Sequence, residues 1–303
     1  MKKLVANIIC AFVPSKDLRH KIRTHFVAPH PNMGMFSPFD IDNSRLIAEL
    51  RTVGEFSYIT NTGNMGDMLI ASATLQFFDD NKLKYKMFNG EPADTIVYGG
   101  GGIWTRTYEF DWSKILPIFA AAKRVIILPS SFHDCTGLID AMDERFVIFC
   151  RERKSYDYMT ANNPRDAKIF LDHDMAFRIT KKIFKGKRPI KIRDFPPITK
   201  FMRCDCEQAG QYESDFDLSI ATFGDKLSCR EWIDFSAKLM LYTVGYVDTV
   251  ITDRLHVGIA AALMGRNVYL LDNTYGKLSG VYNQTMSGNP NVHFCTEMPH
   301  ISK

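Results

Sequence analysis

The chain predicts an α/β protein built from two units, each a parallel sheet wrapped by crossover helices. Three observations lead there. Short β-branched or aromatic runs recur, each followed by Gly, Pro or polar residues and then by a segment of helical period. The length of 303 residues suffices for two domains of ordinary size, each with a core of its own. From Lys181 to Arg193 a run rich in Lys and Arg precedes Pro196-Pro197, a composition shift that suits a connector. The expected organisation is an N-terminal arm over 1–30, a first domain over 31–185 and a second over 186–303.

In the first domain strands are expected at Phe56 to Thr60, Thr95 to Tyr98, Val125 to Leu128, Phe146 to Cys150 and Lys168 to Leu171. Helices are expected at Asp67 to Phe78 and Trp112 to Ala122. The second, smaller domain has candidate strands at Lys200 to Arg203, Leu218 to Ala221, Thr249 to Thr252 and Asn267 to Leu271, and its clearest helix at Glu231 to Val244. Two such domains facing each other make a cleft, and ligands of open parallel sheets sit beyond the carboxyl ends of the strands. The turns that follow strands are therefore the places to look.

Composition narrows the classes of function. Hydrophobic residues at 46% and charged residues at 24% are those of a globular chain. A net charge of +4 falls short of the footprint of a nucleic-acid binder and suits an anionic small substrate or an anionic membrane surface. Seven scattered cysteines read as reduced thiols of a cytoplasmic protein, because Cys204-Asp205-Cys206 lacks a second pair of metal ligands. Lys2-Lys3 and the apolar run Leu4 to Val13 imitate a signal peptide, but Pro14-Ser15-Lys16 follow without a small-residue cleavage site. The run is also too short to span a bilayer. With Arg19, His20, Lys21 and Arg23 behind it, the arm has an apolar and a basic half. It would lie on the inner face of a membrane or pack as a first helix with a solvated basic side.

Several turns carry residues suited to anion chemistry. Asn64-Met65-Gly66-Asp67 opens a helix, where backbone amides attract anions, although an ordinary turn capped by Asp67 reads as well. It is neither a Walker A loop nor a GxGxxG fingerprint. Gly99 to Gly102 is four residues without side chains, costly to order, so Gly100, Gly101 and Gly102 are expected on a cleft floor rather than in a hinge. Leu128-Pro129-Ser130-Ser131 reads chiefly as a turn, with Ser131 able to meet a ligand. Arg151 comes first off the strand Phe146 to Cys150, well placed to hold a phosphate or carboxylate. Asp172-His173-Asp174 invites a divalent-metal reading, but without a third carboxylate a cap for the next turn is favoured. Finally Thr249 to Thr252 leads through Asp253-Arg254-Leu255-His256 into the apolar helix Val257 to Met264, with Lys277 beyond the following strand. His256 can exchange a proton near neutral pH, and Arg254 supplies a permanent charge beside it.

Taken together, these stretches resemble the bacterial polysaccharide pyruvyltransferase family. The resemblance rests on Asn64 to Asp67 with its helix, Gly99 to Gly102, Val147 to Ser155 with Arg151-Glu152, Asp172 to Phe177, and Asp253 to His256 through Lys277. It implies two Rossmann-like domains facing a cleft, similar to the GT-B glycosyltransferase architecture. It also implies phosphoenolpyruvate as donor substrate; no cofactor and no metal are expected, because the arginines already neutralise the leaving phosphate. The family's Arg-Leu-His triplet falls on Arg254, Leu255 and His256, and its strand-end arginine on Arg151. The expected catalytic pair is His256, protonating the donor's methylene carbon, and Arg254, holding the donor. Around them the expected substrate-binding set is Arg151, Lys277, Asn64, Asp67, Gly100, Gly101, Gly102, Ser131 and Asp253. The implied product is a pyruvate ketal on two hydroxyls of a sugar, the acceptor being a lipid-linked precursor of a surface polysaccharide, at the cytoplasmic face of the membrane. A nucleotide-sugar glycosyltransferase of the same architecture is the alternative, and a carbohydrate-binding scaffold subunit a more distant one.

Overall fold

Runs of branched and aromatic residues become parallel strands where helices cover both faces of the sheet, and this chain follows that rule twice. The computed structural model describes residues 36–61, 63–105, 111–163, 165–185, 192–205, 210, 212–221, 229–272 and 276–301. The arm over 1–30, the middle of the connector and Cys206 lie outside the described residues. The first sheet holds β1 (Phe56–Ile59), β2 (Tyr85–Met87), β3 (Thr95–Tyr98), β4 (Gly101–Thr105), β5 (Arg124–His133), β6 (Phe146–Cys150) and β7 (Lys168–Leu171). Its order is β2-β1-β3-β5-β6-β7, with β4 paired to β5. The second sheet holds β8 (Ile198–Lys200), β9 (Thr249–Thr252), β10 (Asn267–Leu271) and β11 (Val292–Cys295), in the order β11-β10-β9-β8. Every ladder in both sheets is parallel.

The chain leaves β1 for β2 on one side and returns to β3 on the other, so the direction of winding reverses between β1 and β3. Loops leaving such a pair diverge and open a crevice at their carboxyl ends. Those loops are 60–64 and 99–100, the first two turns singled out in the sequence.

Eight α-helices lie among the described residues: α1 (Ser44–Arg51), α2 (Met65–Asp80), α3 (Trp112–Ala121), α4 (Thr136–Ala141), α5 (Arg153–Ala161), α6 (Arg230–Gly245), α7 (Leu255–Leu263) and α8 (Lys277–Val281). Helix α2 is apolar all round, as a helix surrounded by protein must be. All of it is buried except Asp67, Asp79 and Asp80. It packs against α6 and touches α7. Helix α7 is similarly buried apart from His256. One cluster of buried side chains therefore runs from Leu46 through α2, Ile233 and Met240 of α6, and on to Val268 and Val292. The apolar interior is continuous between the sheets instead of being split into two cores. A separate cluster around Trp104 and Phe146 fills the far face of the first sheet. None of the helices among the described residues is long and apolar enough to cross a membrane.

Three expectations are corrected. Leu218–Ile220 is a 3-10 turn and not a strand, because the Asp217 carboxylate accepts the Ser219 amide and closes the backbone on itself. The strand expected at Lys200 to Arg203 ends at Lys200, and the Arg203 amide donates to Asp253 instead of to a ladder. The turn expected at Pro129 to Ser131 is absent: β5 continues to His133, with a register shift between Ile127 and Ser130 where proline lacks its donor.

Candidate active site

The floor of the crevice is tied together by side-chain bonds to backbone. Asn61 Nδ2 donates to the carbonyls of Gly99 at 3.2 Å and Gly100 at 2.8 Å, joining the two diverging loops. Asn64 Oδ1 accepts the Gly66 amide at 2.8 Å, and the Asn64 amide donates to Asp67 Oδ2 at 3.1 Å. This reciprocal cap starts α2 with its first amides toward the crevice. Asp67 thus has a local partner. Burial pushes its carboxyl above the ordinary value of 3.8, although His256, Lys277 and Arg151 pull the other way.

The glycine run is needed for close approach. Gly101 has φ +144, a conformation that side chains rarely adopt. A Cβ on Gly102 would lie 3.1 Å from Lys277 Nζ and 3.3 Å from Arg151 Nη2, so two cations meet over that backbone. Gly100 turns instead toward the Pro129 carbonyl, 2.5 Å from where its Cβ would stand.

Arg151 leaves the end of β6 wholly buried. Its Nε donates to Ser131 Oγ at 2.9 Å and its Nη1 to Asp174 Oδ2 at 2.6 Å, while Nη2 has no hydrogen-bond partner. Ser131, expected to meet a ligand directly, holds the arginine. Asp174 is itself buried, and its other oxygen accepts the Ala176 amide at 2.8 Å. Its Oδ2 also lies 3.5 Å from His256 Nε2. Burial opposes ionisation of Asp174, but Arg151 and then His256 hold its carboxyl well below the usual range. A charged carboxylate with a cation on one side and an imidazole on the other is the electrostatic centre of the site.

The opposite wall comes from the second sheet. Arg254 Nε donates to Asp217 Oδ1 at 3.0 Å, its Nη2 pairs with the other Asp217 oxygen, and Nη1 lies 2.8 Å from Asp205 Oδ2. Its charge is therefore balanced inside the protein. Asp253 is wholly buried, accepting the Arg203 amide at 2.7 Å, and acts on the backbone of the wall. Arg203 bonds to Asp205 at 2.7 Å. Lys277 begins α8, after Gly276 at φ +78.

Between the walls lies a cleft of about 340 Å³, bordered by Asn61, Asn64, Asp67 and Gly102 on one side and by Arg203, Ser219, Arg254, His256 and Lys277 on the other. Of the residues expected at the site, Asn64, Asp67, Gly102, Arg254, His256 and Lys277 border it, and Arg151 stands behind Gly102. Gly100, Ser131 and Asp253 act one layer back. Sequence reasoning missed Asp217 and Ser219, which sit on an unforeseen turn, and treated Asp174 as a cap. It is a cap, but β7 pairs with β6 in parallel, so a carboxylate just past β7 and an arginine just past β6 share one sheet edge. That adjacency was the available signal. The Asp172-His173-Asp174 side chains diverge: Asp172 pairs with Arg178 at 2.7 Å and His173 Nδ1 meets Thr285 Oγ1 at 2.9 Å. Among the described residues no three carboxylate, thiol or imidazole groups converge on a metal position.

Comparison with known proteins identifies the family. The family model described as polysaccharide pyruvyl transferase matches residues 64–275, which include the α2 cap, the glycine run, Arg151, Asp174 and His256. No curated protein matches the sequence. Among solved structures, the chain is similar to a functional uncharacterized protein from Klebsiella pneumoniae subsp. pneumoniae NTUH-K2044, at 31% identity and a TM-score of 0.71. That similarity covers 84% of this chain and 96% of the other. The chain belongs to the polysaccharide pyruvyl transferase family.

Proposed function

We propose that this protein transfers the pyruvyl group of phosphoenolpyruvate to two hydroxyls of a saccharide, forming a cyclic ketal and releasing phosphate. The observation that carries the reading is the meeting of Arg151 Nη2 and Lys277 Nζ over Gly102, with Asp174 linking the same arginine to His256. Phosphoenolpyruvate has a phosphate and a carboxylate, and two cations on a bare backbone floor suit that pair of charges. Lys277 takes over the donor-binding part that the sequence suggested for Arg254, whose guanidinium is engaged by Asp217 and Asp205. Arg254 supports the wall that carries His256.

In this scheme a saccharide hydroxyl attacks C2 of the donor while the C2–C3 π pair takes a proton from His256 onto C3. The hydroxyl proton goes to solvent or back to the imidazole. C2 then bears a methyl, a carboxylate, the phosphate ester and the new ether. Phosphate departs with the C–O electron pair, the second hydroxyl adds to C2 and loses its proton, and the ketal closes. A lipid-linked acceptor at the membrane face fits the basic half of the arm over 1–30.

The test is incubation with phosphoenolpyruvate and a panel of galactosides, mannosides and glucosamine derivatives, free and lipid-linked. Phosphate release should match the formation of a product with the mass of a pyruvyl ketal. In His256→Ala, turnover should fall by roughly two to four powers of ten with donor binding retained. A protein that releases nucleoside diphosphate from a sugar nucleotide, and no phosphate from phosphoenolpyruvate, would be a glycosyltransferase instead.

A further inference from the structure

We infer that Asp174 is the positioning residue of the site, holding Arg151 through one oxygen while dictating that the proton leaves His256 from Nδ1. The pyruvyl-transfer reading supplies the fate of that proton, but the tautomer itself follows from the geometry alone.

His256 has two ring nitrogens with different surroundings. Nε2 is buried and faces Asp174 Oδ2 at 3.5 Å, longer than a formed hydrogen bond, as is common at catalytic groups before a substrate tightens them. Nδ1 lies on the other edge of the ring, against Gly66 in the first turn of α2, 2.5 Å from where a Cβ of that residue would stand. A carboxylate accepts and cannot donate, so the neutral imidazole beside it carries its hydrogen on Nε2. The lone pair is then on Nδ1. Any proton that His256 gains for transfer is gained there, and any proton that it gives up is given from there.

The charges around the ring are compatible with this assignment. Asp174, paired with Arg151, faces Nε2, while Gly66 of the first turn of α2 lies against Nδ1; Asp67 and Lys277 are further charged groups that border the same cleft. The carboxylate is not free to turn away, because Arg151 Nη1 and the Ala176 amide fix both its oxygens. Arg151 is anchored in turn by Ser131, so its bare Nη2 and the ring stand in a set relation across one buried carboxylate. An anion arriving at Nη2 and a proton leaving Nδ1 are thus aligned by the same side chain.

The decisive measurement needs no substrate. In protein labelled with ¹⁵N-histidine, with the His256 signals identified by their loss in His256→Gln, the neutral ring should show Nε2 protonated and Nδ1 bare. A neutral ring protonated at Nδ1 would overturn the inference, whatever the enzyme is found to catalyse. Asp174→Asn can donate to Nε2 from its amide and should move the ring toward the Nδ1–H form. If the reaction is pyruvyl transfer, its kcat should fall by roughly 10²–10⁴-fold for want of the right tautomer. Ser131→Ala loosens Arg151 without touching His256. It should raise KM for phosphoenolpyruvate with the nitrogen signals unchanged, and an unchanged KM would remove the arginine arm of the inference. Should Asp174→Asn not fold, the wild-type spectrum and Ser131→Ala still decide the matter. Absence of phosphoenolpyruvate turnover alongside an Nε2–H ring would refute the proposed reaction and leave the role of Asp174 standing.

Discussion

Gly66→Ala is the substitution that most directly tests the placement of His256. The added Cβ would lie 2.5 Å from His256 Nδ1, and 3.0 Å from both His256 Cβ and Asn64 Oδ1. Ordinary contact between such atoms is about 3.5 Å, so the ring edge must give by about 1 Å. It cannot give by moving its backbone, because the helix that carries it is buried between its neighbours. The ring must swing about its own bonds, away from the alignment with Asp174. A misplacement of about 1 Å in a reacting group costs roughly 10²-fold in rate, or about 2.7 kcal/mol of barrier. Stability moves far less. Replacing glycine by alanine inside a helix gains about 0.5–1 kcal/mol, set against about 1–3 kcal/mol of overpacking. The expected outcome is a folded protein melting within a few degrees of wild type, with turnover in the phosphate-release assay down about a hundredfold. Donor affinity by calorimetry should change little. Wild-type turnover in a folded Gly66→Ala protein would mean that His256 does not act from the position described.

Two further substitutions separate structural from functional charge. Asp67 titrates above its ordinary value of 3.8, so the folded state binds that proton more tightly than the unfolded chain does. Its contribution to stability is full below 3.8 and is lost as pH rises through the folded value. Asp67→Asn keeps an acceptor for the Asn64 amide, and its melting temperature relative to wild type should climb as pH rises above about 4; a flat difference would refute the sign. Arg254→Ala leaves the buried Asp217 carboxylate without its guanidinium and should cost about 3–5 kcal/mol in urea unfolding. Unchanged stability with lost phosphoenolpyruvate binding would return Arg254 to the donor-holding role read from the sequence.

The sequence made the layered α/β character plain because parallel strands covered on both faces are nearly uninterrupted apolar runs. Thr249–Thr252 and Asn267–Leu271 were legible to the residue for that reason. Leu218 was not: it is as apolar as a strand, and the deciding group is the side chain of the preceding Asp217, acting on a backbone amide two residues on. The site divides in the same way. Arg151, Gly102, His256 and Lys277 could be read from their places after strands, because the parallel sheets bring all carboxyl ends to one edge. What Arg254 does depends on Asp205 and Asp217, which no spacing rule connects to it. Ser131 looked like a turn residue because Pro129 precedes it, and only the register shift in β5 carries it through to Arg151.

Helix α2 belongs to both halves of the molecule at once. Its first turn caps the crevice of the first sheet, and its body is enclosed by α6 and α7 of the second unit. Such an enclosed rod acts as an axle and not as a hinge. Prising the halves apart would wet the row of apolar side chains from Met68 to Phe78, so neither half can melt while the other keeps its interior dry. Heating should therefore give a single cooperative transition in a calorimeter, and two resolved transitions would show that the seam is weaker than its packing indicates. For the cleft, the consequence is that its two walls rest on one shared apolar interior, so that widening it would wet side chains of both units.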